Sequence, residues 1–243
     1  MAHATRALLV AQATANGDRV APWFGSHVIW QDCYFRYHGA MPTGLRERKK
    51  VHVREQLIEA ATRLFETHGF DLVTVDQIAD AAFVSPRTFF RYFGSKEAVL
   101  FADQEEMLAE LGAAIAAQPP ESSPLDVLRA AVIALAGDYA EHREHHVRRA
   151  RMAESGAAIA EYQQTVIRPR WEDAIAQALA DRLGVEVDVD LRPRLFAGVG
   201  LAVMSAVGPV FMASGGNGDL DAVLAQGFQV LSTAGLSGAV DVR

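Results

Sequence analysis

The chain contains very little cysteine. Cys33 is its only cysteine among 243 residues, so an intrachain disulfide and a cysteine-based zinc site are excluded, and nothing indicates an oxidising compartment. Nucleophile-elbow, phosphate-loop and hydrolase metal-binding motifs are missing too, and no paired acid and base stand at a recognisable spacing. We therefore expect a cytoplasmic protein that is not an enzyme and has no cofactor.

Long uninterrupted apolar segments are also scarce. The longest, residues 195–213, approaches the length of a membrane span but is rich in glycine and contains Pro209. We interpret it as a buried interface helix and expect no membrane partner. Residues 6–15, RALLVAQATA, have the small residues of a signal-peptide cleavage site, but Gln12 interrupts the apolar run and Arg6 is its only positive start.

Charge is distributed unevenly along the chain. The formal net charge is -7, yet residues 46–96 hold nine Lys/Arg against seven Asp/Glu, a balance of +2, so the remaining residues carry -9. Half of the residues are hydrophobic, 50%, which suffices to bury a core. The uneven charge indicates two parts with different partners.

Helix signals begin near Arg46. Residues 46–69 carry apolar side chains at three- and four-residue spacing, which is typical of a helix. Thr74 with Gln77 predicts a capping box that opens a short second helix, and Ser85 predicts the cap of a third helix. A long helix followed by two short ones joined by a three-residue turn is a helix-turn-helix arrangement.

The third helix has an unusual composition. Its sequence, VSPRTFFRYF at 84–93, contains two arginines, three phenylalanines and a tyrosine but no acid. Such a helix suits neither a core nor an ordinary solvated surface, and it is suited to lie on a negatively charged partner. We therefore interpret it as the recognition helix.

Residues 57–100 resemble the DNA-binding domain of the TetR family of bacterial transcriptional regulators. The resemblance rests on Phe-x-x-x-Gly-Phe at the end of the first helix, Thr-Val-x-x-Ile-Ala in the second, and Tyr-Phe-x-Ser-Lys-Glu before a fourth. It implies a homodimer that binds double-stranded DNA at a palindromic operator, usually as a repressor. It also implies release when a small-molecule effector enters the helical C-terminal domain.

The chemistry of individual residues supports DNA contact. Arg87 and Thr88 are placed to read base edges, and Phe90 offers an apolar face to a thymine methyl. The basic run at 46–50, ahead of the first helix, and Lys96, beside the start of the fourth, suit phosphates. The predicted DNA-contact set is Arg46, Arg48, Lys49, Lys50, Thr74, Ser85, Arg87, Thr88, Phe90, Arg91, Tyr92 and Lys96.

Phe83 departs from the family pattern. The turn between the second and third helices normally holds glycine, and a bulky residue at positive φ is strained by about 1 to 2 kcal/mol. Either the turn is recast, or the ring packs well enough to offset the strain. An alternative function therefore stays open, a helical protein-interaction module that no longer reads DNA.

The remainder of the chain shows helical periods without strand-like alternation. We expect the fourth helix to run from Ser95 to the proline-rich linker at 116–124. Further helices are predicted at about 124–150, 156–183, 190–213 and 218–235. The last two, rich in small residues, could pack against a second copy of the chain.

An effector cavity is expected within this helical part. Its candidate lining residues are Met152, Tyr162, Trp171, Ile175 and Met204, although the same apolar pattern also describes a core. His142 and His146, four residues apart, have a spacing that can hold a metal. Solvated histidine pairs on exposed helices are common, so we expect no metal site.

The predicted fold is all-α, with an N-terminal helix-turn-helix three-helix domain followed by a helical ligand-binding and dimerisation domain. We assign residues 41–101 to DNA binding and residues 102–243 to effector binding and dimerisation. Residues 1–40 form an extension of unknown order, which need not be translated because Met41 stands just before the first coherent domain.

Overall fold

The computed structural model describes residues 44–141, 147, 151–152, 156–216 and 218–233. The chain divides into two units, residues 1–55 and 56–243. Regular structure in the described residues is helical throughout, which confirms the all-α expectation. The helices are α1 Leu45–His68, α2 Val75–Ala81, α3 Pro86–Tyr92, α4 Lys96–Leu100, α5 Gln104–Ala116, α6 Pro124–Glu141, α7 Ala157–Tyr162, α8 Arg168–Leu183, α9 Leu191–Ala213 and α10 Leu220–Thr233, with a π-helical turn, Gln163–Ile167, between α7 and α8.

The helix-turn-helix unit is built around a small aromatic and aliphatic core. Phe89 of α3 is fully buried, and its ring lies 5.7 Å from that of Phe93. Leu57 and Phe65 of α1 and Ile78 of α2 are buried as well. Burying a side chain of this size stabilises the fold by roughly 1.5 to 3 kcal/mol, so these residues hold the recognition helix α3 against its predecessors.

The predicted helix ends are confirmed where a capping residue marked them. Gly69, at φ 83°, ends α1 with its amide bonded to the Phe65 carbonyl. Thr74 and Gln77 form both bonds of the predicted capping box at α2. Ser95 accepts a hydrogen bond from the Ala98 amide at the start of α4.

The helices α5 to α10 form a second helical layer around one core. Helix α8 packs on α5 and α9, and α6 packs on α5, α9 and α10. Ile175, Leu179 and Phe228 are among its fully buried side chains. A Cβ atom on Gly227 of α10 would lie 2.8 Å from Val203 of α9, so glycine permits the close approach of these two helices.

Two predicted helices are not continuous. The fourth breaks after Leu100 and resumes at Gln104, because a turn in which the Gln104 amide bonds to the Phe101 carbonyl separates α4 from α5. The helix predicted at 156–183 widens into the π-turn, where the Arg168 amide bonds to the Gln163 carbonyl five residues back. Pro169 explains this widening, because it has no N–H to continue an α-helical ladder and its ring crowds the carbonyl four residues back.

Helix α9 has the length and hydropathy of a membrane span. It is 23 residues long, its best window has a mean hydropathy of 2.0, and 33% of that window is buried. A single helix of this kind is weak evidence for a membrane protein, because helices of soluble proteins also reach these values.

Candidate nucleic-acid interface and ligand cavity

The recognition helix α3 begins with a tight cap. The Ser85 hydroxyl accepts a hydrogen bond from the Thr88 amide at 3.1 Å and lies 3.0 Å from the Thr88 hydroxyl. Pro86 occupies the first turn, where its missing N–H costs nothing. The cap therefore orders the predicted contact residues Ser85 and Thr88 at the end of the helix that carries Arg87.

The turn before α3 has the geometry that glycine normally provides. Phe83 has φ 56°, its amide donates to the Asp80 carbonyl at 3.0 Å, and the Val84 amide donates to the Ala79 carbonyl at 2.9 Å. These two bonds are those of a Schellman motif with the left-handed residue at Phe83. The turn is thus not recast, and the ring is 94% exposed, so packing does not offset the strain.

The outer face of α3 combines positive charge with aromatic surface. Arg87 and Arg91 are exposed, and Phe90 is 56% exposed with its ring packed edge-on against Phe89. The Arg91 guanidinium lies 5.3 Å from the centre of the Tyr92 ring. This face can donate hydrogen bonds to bases or phosphates and can contact a thymine methyl.

Lys96 has an intramolecular role that the sequence did not indicate. Its ammonium donates to the Phe70 carbonyl at 2.8 Å and to the Val73 carbonyl at 3.0 Å, and it lies 4.2 Å from the Phe70 ring centre. Two of its three donors are therefore directed into the protein instead of towards a phosphate. The predicted phosphate contact of Lys96 stays a prediction, beside an intramolecular role in which the residue holds the segment ahead of Thr74 in place.

The predicted basic run forms the first turns of α1 instead of preceding the helix. Arg46, Arg48, Lys49 and Lys50 are all exposed. Lys50 pairs with Glu47 at 2.9 Å in a solvent-exposed ion pair, which contributes little to stability. At 100° per residue, Arg46, Lys49 and Lys50 share one face of the helix.

A cavity of about 370 Å³ lies among α5, α6, α8, α9 and α10. Its walls are mostly apolar and include the rings of Phe101, Trp171 and Phe211. The volume falls at the lower end of the range typical of small-molecule sites. Three residues of the π-turn, Gln163, Gln164 and Ile167, line it as well, in keeping with the tendency of π-turns to occur at functional sites.

Few polar groups face this cavity. Gln104 is 6% exposed, the buried polar side chain among the described residues, and its carboxamide oxygen accepts a hydrogen bond from the Trp171 indole N–H. On the other side the Arg168 guanidinium lies 3.4 Å from the Ser205 hydroxyl. The polar lining side chains are thus Gln104, the Arg168–Ser205 pair, and Gln163 and Gln164 of the π-turn.

Two of the five predicted lining residues lie in the cavity wall. Trp171 and Met204 line the cavity, whereas Met152, Tyr162 and Ile175 are not among its lining residues. Ile175 belongs to the core at 1% exposure. Tyr162 stacks on Phe101 at 5.7 Å, and burial raises the pKa of its hydroxyl, with Arg170 opposing the shift and Glu97 adding to it.

Several cavity residues were missed by sequence reasoning, in particular Gln104, Arg168 and Ser205. Pro169 was the available signal for the π-turn beside Arg168. The histidine pair His142 and His146 lies outside the described residues. Within the described ranges, no three histidine, cysteine or acidic side chains come together as a metal site.

Two family descriptions match the chain. Residues 57–102 match "Bacterial regulatory proteins, tetR family", and residues 122–236 match "MftR C-terminal domain". The first match contains α2, α3 and α4, and the second contains α6 to α10.

Curated relatives match over both parts of the chain. The HTH-type transcriptional regulator TcmR of Streptomyces glaucescens is 36% identical over 174 residues, which are 69% of this chain and 74% of TcmR. The "Putative mycofactocin biosynthesis transcriptional regulator MftR" of Mycobacterium tuberculosis is 31% identical over 156 residues, which are 64% of this chain and 78% of MftR.

Solved structures have the same fold. The complex of SmeT with triclosan has a TM-score of 0.51 and 22% identity, covering 75% of this chain and 90% of SmeT; SmeT is described as the repressor of a multidrug efflux pump of Stenotrophomonas maltophilia. At this identity the likeness concerns the fold alone. From the helix-turn-helix geometry and the two curated relatives, the chain belongs to the TetR family of bacterial regulatory proteins, which are DNA-binding transcriptional regulators and not enzymes.

Proposed function

We propose that the chain is a homodimeric repressor that binds a palindromic operator through α3 and releases it when a small molecule occupies the cavity. The observation that carries the proposal is the exposed face of α3, with Arg87, Phe90 and Arg91 on a helix fixed at its start by Ser85. No acid lies among residues 84–93 to compete for these cations.

Arg87 is the residue proposed to read sequence. Its side chain is exposed and forms no ion pair with a described residue, so its paired N–H groups are available. Arginine bonds to guanine through two donors, and such a contact contributes about 1 to 3 kcal/mol of discrimination. Phe90, one turn further along the exposed face, adds apolar contact with a thymine methyl.

The basic start of α1 supports phosphate contact independently of α3. Cations near a helix N-terminus are unfavourable because the helix dipole is positive there, and Glu47 is the acidic residue of the first turn. Arg46, Lys49 and Lys50 therefore stand against the local electrostatic preference. A polyanion would compensate them, and their contribution would fall as salt concentration rises.

Dimerisation is proposed from the exposed face of α9. Leu195, Ala202, Ala206 and Val210 are exposed at spacings of seven and four residues, which place them on one stripe. Only 33% of the apolar window of α9 is buried within the chain. A second copy would cover this stripe through close helix packing and would set two α3 helices about 34 Å apart, one turn of DNA.

Release is proposed to pass through the short helix α4. Phe101 lines the cavity and caps α4 at its C-terminal end, while Lys96 at the other end bonds to the carbonyls of Phe70 and Val73. A ligand that displaces Phe101 would thereby displace the segment ahead of α2. Operator binding would then weaken through a shift between two populated states.

The test is binding of DNA upstream of the chain's own gene, followed by fluorescence anisotropy across a salt series. We expect the Arg87→Ala variant to lose about 1 to 3 kcal/mol of operator affinity and to relax sequence choice. Arg129→Ala, which removes an exposed arginine of α6, is the matched control. If the protein ignored duplex DNA at low salt, or if both variants bound the operator like the parent, the proposal would be wrong.

A protein-interaction module is the second candidate, and the exposed ring of Phe83 is the observation that favours it. This candidate depends on a distorted turn between α2 and α3, however, and both hydrogen bonds of the Schellman motif are formed there, which argues against the distortion. A partner protein captured through Phe83 without any salt-dependent DNA binding would favour this candidate over the repressor.

A further inference from the structure

We propose that the effector is a compact apolar acid, an aromatic or alicyclic body with one anionic oxygen group, and that Arg168 binds this group. The inference rests on the proposed function, in which the cavity is the effector site. It adds the chemical class of the ligand and the residue that selects for it.

The first argument is the charge inventory of the cavity. Arg168 is the one charged side chain among its described lining residues, and no described carboxylate lines it. The other polar lining side chains are neutral: Gln104, Gln163, Gln164 and Ser205. In a chain of net charge -7, the described part of the lining carries one positive charge.

The second argument is the incomplete pairing of Arg168. Its hydrogen-bond partner among the described side chains is the Ser205 hydroxyl at 3.4 Å, a long and solvent-exposed hydrogen bond. Neighbouring arginines have carboxylate partners: Arg170 pairs with Glu105 at 3.1 Å and Arg194 with Asp173 at 2.9 Å. Arg168 alone of these three arginines lines the cavity, and its part-exposed guanidinium forms no ion pair with a described carboxylate, so it is accessible to an anionic group of a ligand.

The third argument is the division of the cavity into two ends. The Trp171 indole N–H donates a hydrogen bond to the Gln104 carboxamide oxygen, so a ligand need not supply a partner for these two buried groups. The remaining wall offers the rings of Phe101 and Phe211, with methionines that adapt to ligand shape. A ligand thus buries an apolar body against the rings and directs its polar group to Arg168 and Ser205.

These features select against other classes of compound. A cation would meet Arg168 with no described lining carboxylate to compensate it, which disfavours it by repulsion. A neutral apolar compound would gain ring burial but would leave the guanidinium poorly paired. A carboxylate, phenolate or sulfonate gains a charge-assisted hydrogen bond that the other two lack.

Two fluorescent probes test the inference as a matched pair. 8-Anilinonaphthalene-1-sulfonate is anionic, and N-phenyl-1-naphthylamine has the same rings without the sulfonate. We expect the full chain to bind the anionic probe about tenfold more tightly, the effect of one hydrogen bond to a charged group. Tryptophan quenching by the probe that is lost in Trp171→Phe, which keeps Trp23 and Trp30, places binding in the cavity that Trp171 lines.

Variants assign the preference to Arg168. Arg168→Gln should remove the preference for the anionic probe without weakening binding of the neutral probe. Arg168→Lys should retain much of this preference because the charge remains. Arg129→Gln, which removes an exposed arginine outside the cavity, should leave both affinities unchanged. Unfolding midpoints of the variants identify any that fail to fold, and Arg168→Met, which also removes the charge, replaces Arg168→Gln in that case.

The proposal is overturned if the neutral probe binds as tightly as the anionic one, if neither probe binds, or if Arg168→Gln changes both affinities alike. Operator anisotropy in the same samples separates this failure from that of the proposed function. DNA binding that only the neutral probe relieves would refute the acidic ligand and leave the repressor standing. Absence of DNA binding would refute the repressor, whatever the probes show.

Discussion

At Phe83 the backbone adopts the left-handed conformation that glycine normally occupies. The left-handed φ of 56° brings Cβ close to the following carbonyl. Two outcomes were expected from the sequence, a recast turn or a packed ring, and neither occurs: the turn bonds are intact and the ring is exposed. Roughly 1 to 2 kcal/mol of strain therefore remains at this residue.

Replacing this residue should release the strain. We expect Phe83→Gly to stabilise the protein by about 0.5 to 1 kcal/mol, since the relief of strain exceeds the added chain entropy of glycine. The midpoint of urea unfolding measures the effect. Phe83→Ala is the control, because it removes the ring but keeps Cβ in the same conformation. An equal gain from alanine would attribute the effect to the ring and contradict the strain argument.

Capping residues were the most predictable part of the site. Thr74, Ser85 and Ser95 each accept the amide bond that their position predicted, because a cap is a local interaction between residues three apart. Lys96 could not be placed in the same way. Its partners, the carbonyls of Phe70 and Val73, lie more than 20 residues earlier in the chain.

Helix α4 is the shortest of the α-helices in the described residues. It consists of five residues between Lys96 and Leu100, too few to be stable as an isolated helix. Its position depends on the bonds of Lys96 at one end and on the stacking of Phe101 with Tyr162 at the other. An element held at both ends in this way can transmit a displacement from the cavity.

The two interpretations of Lys96 give different results in one experiment. If Lys96 acts inside the protein, Lys96→Met should lower stability by about 1 to 3 kcal/mol, because two part-buried carbonyls lose a donor, and should leave the salt dependence of DNA binding unchanged. A phosphate contact would instead reduce the slope of log K against log salt by about 0.9.

Lys49→Met is the matched control for this test. Lys49 is exposed in the first turns of α1, so its loss should reduce the slope without changing the urea midpoint. The intramolecular role of Lys96 would be refuted if its variant behaved like that of Lys49.

Element boundaries without a capping signal were predicted less well. Apolar spacing identified α9 and α10 within two residues of their ends. It did not reveal the break at Phe101 or the π-turn before Arg168, because one extra residue shifts the apolar spacing only once, which is hard to tell from an ordinary irregularity of the pattern. Spacing likewise failed to separate Ile175 in the core from Trp171 in the cavity wall, since both positions require an apolar side chain.

For the whole molecule, the apolar stripe of α9 predicts the assembly state. We expect Ala206→Glu to convert the proposed dimer to a monomer, because two charges would be buried opposite each other in a close helix contact. Light scattering after size-exclusion chromatography measures the mass. Ala113→Glu, at an exposed position of α5, should leave the dimer intact.

The operator affinity of the Ala206→Glu variant should fall together with its molecular mass, because two linked recognition helices bind DNA more strongly than one. A parent protein that is monomeric at micromolar concentration would contradict the proposed interface. An Ala206→Glu variant that remained dimeric would place the interface elsewhere.

The π-turn has a consequence for how this cavity could diversify. It contains one residue more than an α-helical turn would need, and each residue corresponds to 100° of rotation. Deleting Gln163 or Gln164 would restore the ordinary helical repeat and take one polar side chain out of the cavity wall, while α7 and α8 would keep their directions because the π-turn absorbs the extra residue. Ligand preference would then change in one genetic step, with Arg168 and Trp171 kept in the wall.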